Sequence, residues 1–77
     1  LEPLQSAVAE YPESTRANFE FGRALLQLNR LPAAIERFEA AVRIDPANSA
    51  AHLLLGKSYI RTGRRQDGER HLKLGQR

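Results

Sequence analysis

Residues Asn29–Pro46 read NRLPAAIERFEAAVRIDP. Ala33, Ala34, Ile35, Phe38, Ala41, Val42 and Ile44 recur at helical spacing, and Glu36, Arg37, Glu39 and Arg43 fall between them. That pattern is a helix with one apolar stripe. Pro32 stands where a helix begins, its fixed φ and missing N–H costing nothing in the first turn. Pro46 ends the helix, because the residue before a proline is pushed out of the α region. A helix from about Pro32 to Asp45, roughly three to four turns, is expected. Its sequence is echoed at a fixed interval, and that interval decides the fold.

A shift of 34 residues lays Pro12 on Pro46, Ala7 on Ala41, Val8 on Val42, Gly22 on Gly56, Ala17 on Ala51 and Arg30 on Arg64. Apolar classes match as well: Leu4 with Phe38, Phe21 with Leu55, Leu25 with Tyr59. A period of this size marks a solenoid of stacked helix pairs. In chain order, helices are expected over Leu1–Tyr11, Thr15–Leu28, Pro32–Asp45, Ser49–Thr62 and Arg65–Gln76. Ser14 or Thr15, and Asn48 or Ser49, are the candidate N-caps. Asn29 and Gly63 occupy C-terminal positions that favour a left-handed backbone. Loops of two to four residues require antiparallel neighbours.

Over this frame lie Asn18-x₂-Phe21-Gly22-x₂-Leu25, then Ala34-x₃-Phe38, then Pro46. The next unit gives His52-x₂-Leu55-Gly56-x₂-Tyr59, then Gly68-x₃-Leu72. The chain thus resembles a tetratricopeptide repeat (TPR) array, W-x₂-L-G-x₂-Y, A-x₃-F, P over 34 residues. It departs from that pattern at Asn18 and His52 for Trp, Leu25 for Tyr, Gly68 for Ala and Leu72 for Phe. The resemblance implies an all-α fold of antiparallel helix-turn-helix repeats forming a short right-handed superhelical solenoid of about five helices. One domain over 1–77 is expected, with 1–12 as the second helix of a preceding repeat, 13–46 a full repeat and 47–77 a final one. Gly22, Ala34, Phe38, Pro46, Gly56, Tyr59 and Leu72 are the expected structural positions. Gly22 should admit the paired helix through Ala34. Helix five, with Glu69 and Gln76 where the central helix has Ile35 and Val42, is read as a polar terminal cap. Its Gly68 and Gly75 lower helix propensity.

The resemblance also implies a concave groove for an extended or helical peptide, lined by the first helix of each repeat. Matching positions are Arg16, Phe19, Arg23, Leu26 and Gln27, then Ala50, Leu53, Lys57, Ile60 and Arg61. A mixed apolar and basic surface suits a partner with acidic and hydrophobic residues, Arg23 and Lys57 contacting its carboxylates. The alternative is that Arg23 pairs locally with Glu20 or Gln27 and that Lys57 is merely solvated. The carboxylate clamp of some TPR proteins needs lysine and asparagine where this chain has Phe19, Leu53 and Arg23, which argues against that ligand. Leu1, Leu4 and Val8 sit on a helix whose own partner is missing, so either the parent protein continues N-terminally or copies self-associate there.

Composition narrows the remaining classes. The 77 residues contain no Cys, so neither a disulfide nor a cysteine metal site is available. No apolar run approaches the roughly 18 residues of a membrane span, and no signal peptide is visible. The first residue is not Met, so a fragment of a longer protein is expected and its compartment stays open. Residues 1–48 carry net −2 and residues 49–77 net +5. Nucleic-acid binding through Arg61, Arg64, Arg65, Arg70 and Arg77 is the competing reading, opposed by interspersed acids and few aromatics. His52 and His71, on different helices, suggest surface or packing roles rather than metal binding. With no nucleophile elbow or phosphate loop, neither catalysis nor a cofactor is expected. The function expected is a protein–protein interaction module or scaffold; the alternative is a structural spacer within a longer array.

Overall fold

The computed structural model describes residues 2–76. Among them five helices follow in order: α1 (Glu2–Glu10), α2 (Thr15–Gln27), α3 (Leu31–Ile44), α4 (Ser49–Arg61) and α5 (Arg65–Gly75). The expected helices ran one residue too far at each C-terminus, where Tyr11, Leu28, Asp45, Thr62 and Gln76 leave the helix. α3 also starts one residue early, at Leu31. Leu1 and Arg77, named above for self-association and nucleic-acid contact, lie outside the described residues.

Local chemistry sets these ends. Ser14 caps α2, its hydroxyl accepting from the Ala17 N–H at 3.1 Å, and Asn48 caps α4, accepting from Ala51 N–H at 2.9 Å. Thr15 and Ser49 are therefore the first helical residues rather than the caps. Asn29 has φ 59° and Gly63 φ 88°. Behind them, Arg30 N–H donates to Leu25 C=O at 2.9 Å and Arg64 N–H to Tyr59 C=O at 2.8 Å. This is the six-residue closure of a Schellman motif in both repeats. Asp45, ahead of Pro46, is extended at φ −133° and ψ 85°.

Each helix packs on its chain neighbour, and α2 also touches α4. The Cα envelope is 32 × 25 × 13 Å, thin enough for two helix layers about 8–10 Å apart. The outcome is an all-α solenoid of antiparallel helix pairs, as the 34-residue period implied. Leu25, Ala34, Ile35, Phe38, Leu55 and Tyr59 form the buried core. Phe38 has no exposed surface. Ile35 and Leu55 carry this core from one helix pair into the next.

The glycine at the α2–α3 crossing serves a different neighbour from the one expected. A β-carbon on Gly22 would lie 2.7 Å from Phe38 Cε1, so it is the Phe38 ring, not Ala34, that occupies the space. In the second pair a β-carbon on Gly56 would meet the Gly68 carbonyl at 2.8 Å. There the backbones themselves approach, because Gly68 replaces the alanine of the first pair. The α5 glycines thus give close packing in exchange for helix propensity.

Candidate functional site

The groove positions divide into two sets related by the repeat. In the apolar set, the Phe19 ring is tilted 59° against Phe38 with centroids 5.9 Å apart, and Leu26 packs on the core. Their equivalents in α4 turn towards α5: a β-carbon on Gly75 would meet Leu53 Cγ at 2.6 Å, and one on Gly68 would meet Ile60 Cγ1 at 2.5 Å. Ile60 keeps 42% of its surface exposed. The polar set, Arg16, Arg23, Gln27, Lys57 and Arg61, is exposed throughout, as is Ala50.

Local ion pairing takes up Arg16 but leaves the other cations of this row. Glu20 faces Arg16 at 3.4 Å rather than Arg23. Among the described residues no carboxylate lies within 4.0 Å of the Arg23 or Lys57 head groups. Arg23 and Gln27 border an open recess of about 220 Å³, together with Leu4, Glu20 and Ala24. The competing basic cluster is more engaged. Arg64 and Arg70 both pair with Asp67, at 3.0 and 3.3 Å, and Arg65 with Glu69 at 3.7 Å. Arg64 also lies over the Tyr59 ring, 4.2 Å from its centre.

Sequence reading missed a polar junction repeated in both helix pairs. Buried Asn18 donates through Nδ2 to the carbonyls of Pro12 at 3.0 Å and Ser14 at 2.9 Å, while its Oδ1 accepts from Arg37 at 2.9 Å. In the next repeat, His52 Nε2 lies 2.8 Å from Pro46 C=O and His52 Nδ1 lies 3.0 Å from His71 Nδ1. Of the surface and packing roles expected for the two histidines, the structure shows packing, and it brings the two rings together. The 34-residue shift that aligns Pro12 with Pro46 also aligns Asn18 with His52 and Arg37 with His71. That register was the available signal; the hydrogen-bonding capacity of these residues was not followed through it.

Around this junction, burial holds the His71 imidazole below its ordinary 6.5, with His52 and Arg70 adding to the effect and Asp67 and Glu39 opposing it. The Tyr59 hydroxyl donates to the Glu39 carboxylate. Burial, then that bond and the Glu39 charge, push the Tyr59 phenol up to about 12 against the pull of Arg64.

Comparison with known proteins agrees with the geometry. A family model for the TPR repeat matches residues 22–63, more than half the chain. Two relatives from Arabidopsis thaliana are similar in part. The inactive TPR repeat-containing thioredoxin TTL3 is 43% identical over 49 residues, covering 64% of this chain and 7% of that protein. The TPR repeat-containing thioredoxin TTL4 is 33% identical over 66 residues, covering 86% of this chain and 10% of that protein. This chain thus spans a tenth or less of the curated relatives it matches. Among solved structures, MamA AMB-1 superposes with a TM-score of 0.89 at 27% identity, covering 95% of this chain and 40% of its own. MamA MSR-1 gives 0.86 at 26% identity, covering 95% of this chain and 42% of its own. Both the matched repeat and the helix-pair stacking carry one conclusion: the chain belongs to the tetratricopeptide repeat family.

Proposed function

We propose that this segment is a non-enzymatic interaction module whose α2 and α4 faces bind an acidic peptide or partner helix. TPR repeats generally mediate protein–protein interaction. The observation that carries the finer reading is the row of Arg23 and Lys57, repeat-equivalent, exposed and without an intramolecular carboxylate among the described residues. Repeat-equivalent cations at a repeating separation suit acidic side chains spaced along an extended ligand. Apolar side chains of the ligand would reach the exposed part of Ile60 and the Leu4 recess. In the same reading, 1–12 supplies the second helix of a preceding repeat, 13–46 a full repeat and 47–77 a final repeat with a polar outer helix. Half-buried Leu4 would then be covered by further chain or by a second copy, whereas Val8, expected to share that uncovered face, is already buried.

A displayed random-peptide selection against the chain, followed by affinity measurement on Arg23→Ala/Lys57→Ala, tests the reading. Enriched peptides should be acidic and should bind the double variant at least tenfold more weakly, about 1.4 kcal/mol. Enrichment of neutral or basic peptides, or equal affinity for the variant, would favour the spacer reading. The nucleic-acid alternative is weaker because Arg64, Arg65 and Arg70 are already paired with acids. A steep log-linear loss of binding with salt would revive it.

A further inference from the structure

The two histidines of the chain form a junction between three elements: the α3–α4 turn, α4 and α5. His52, only 7% exposed, lies with Nε2 against the Pro46 carbonyl, which can only accept, so this nitrogen carries the proton. Its Nδ1 is then left with a lone pair, and the bond to His71 requires the His71 Nδ1–H to donate. Ring centres are 5.2 Å apart and the planes 18° apart, while the two Nδ1 atoms are 3.0 Å apart. The nitrogen–nitrogen line therefore runs close to the line of centres, each nitrogen aimed at the other. That arrangement shares a proton. It does not suit a metal, whose donors must converge on a third point.

We propose that the His52–His71 pair is a proton-operated latch that holds α5 on α4 and releases it in mild acid. The neutral pair makes one bond. A further proton on His71 Nε2 leaves that bond intact but charges a half-buried ring beside Arg70 of α5. A second further proton sets two N–H donors head to head and abolishes the bond. Groups facing the pair are Tyr59 of α4, Glu39 of α3, and Arg70 and Asp67 of α5, with Arg64 stacked over Tyr59. Since the docked His71 is held below 6.5, the released helix binds protons more readily than the docked one. The docked state keeps its full advantage above that value and loses it as pH falls below it. The preceding repeat places Asn18 and Arg37 at the equivalent positions, and neither titrates in this range. Only the second helix pair has a latch. This inference is independent of what the α2–α4 face binds.

Amide hydrogen exchange on the whole chain tests it, at about pH 7.5 and about pH 5 and corrected for intrinsic rates, where histidine is the only side chain that ordinarily titrates. The wild type is compared with His52→Asn/His71→Arg, which installs the first repeat's pair. In the wild type the opening constant of α5 amides should rise as pH falls, by up to about tenfold per pH unit for each proton taken up. In the double variant it should stay flat. No rise in the wild type, or an equal rise in both proteins, overturns the latch. Should the double variant fail to fold, imidazole nitrogen spectra of the wild type decide. The latch requires a protonated His52 Nε2 and a coupling between the two Nδ1 atoms near neutral pH; the opposite His52 tautomer or no such coupling overturns it.

Discussion

At the scale of single residues, Phe38 and Gly22 form one unit. Phe38 is fully buried, and its ring fills the space a Gly22 side chain would need. Phe38→Ala should lower stability by about 3–5 kcal/mol, and Gly22→Ala by about 1–3 kcal/mol, since a packed ring cannot withdraw. Urea unfolding of both single variants and the double variant checks this. The costs should be less than additive, because without the ring the added methyl has room. Tyr59 offers a second test. Tyr11→Phe leaves it the sole tyrosine, and tyrosinate absorbance should then report a midpoint near 12 rather than the ordinary 10.0. Since folding raises this value, the Tyr59 contribution to stability is complete below about pH 10 and lost as pH climbs towards 12. A midpoint at 10.0 would mean that the Glu39 bond and the burial do not persist in solution.

At the scale of helices, the ends are set by a few side chains whose type the sequence displays. Ser14→Ala and Asn48→Ala should each cost about 1 kcal/mol, while Thr15→Ala and Ser49→Ala should cost clearly less. Thermal unfolding followed by circular dichroism separates the pairs; equal losses would mean that the caps shift by one residue. The existence, order and pairing of the helices were legible because period, glycines and prolines agreed on one register. Helix ends were legible to within a residue, since Ser14 and Thr15 carry similar hydroxyls and only backbone geometry chooses between them. The partner of Gly22 was not legible: Phe38 and Ala34 lie on one face of α3, and which of them meets α2 depends on the crossing of the two helices. The histidine pair was hidden for a related reason. A separation of 19 residues has no local meaning until the hairpin folds.

At the scale of the whole molecule, charge is divided along the chain, net −2 over residues 1–48 and +5 over residues 49–77. Folding pairs part of the second half with its own acids, through Asp67 and Glu69. Arg23, Lys57 and Arg61 stay exposed on α2 and α4. The family pattern named the candidate positions but could not separate them, because inward-facing and hairpin-facing residues share the same spacing. Packing against Phe38, Gly68 and Gly75 drew Phe19, Leu26, Leu53 and Ile60 towards the second helices and left the polar row outside. The most direct test of the proposed recognition surface is a backbone amide shift map of the chain titrated with a peptide enriched in the selection. Changes centred on Arg16, Arg23, Gln27, Lys57 and Arg61 are expected, with the outer face of α5 unmoved. Changes confined to α1 or to the Glu69 and Lys73 face of α5 would contradict a ligand site on α2 and α4.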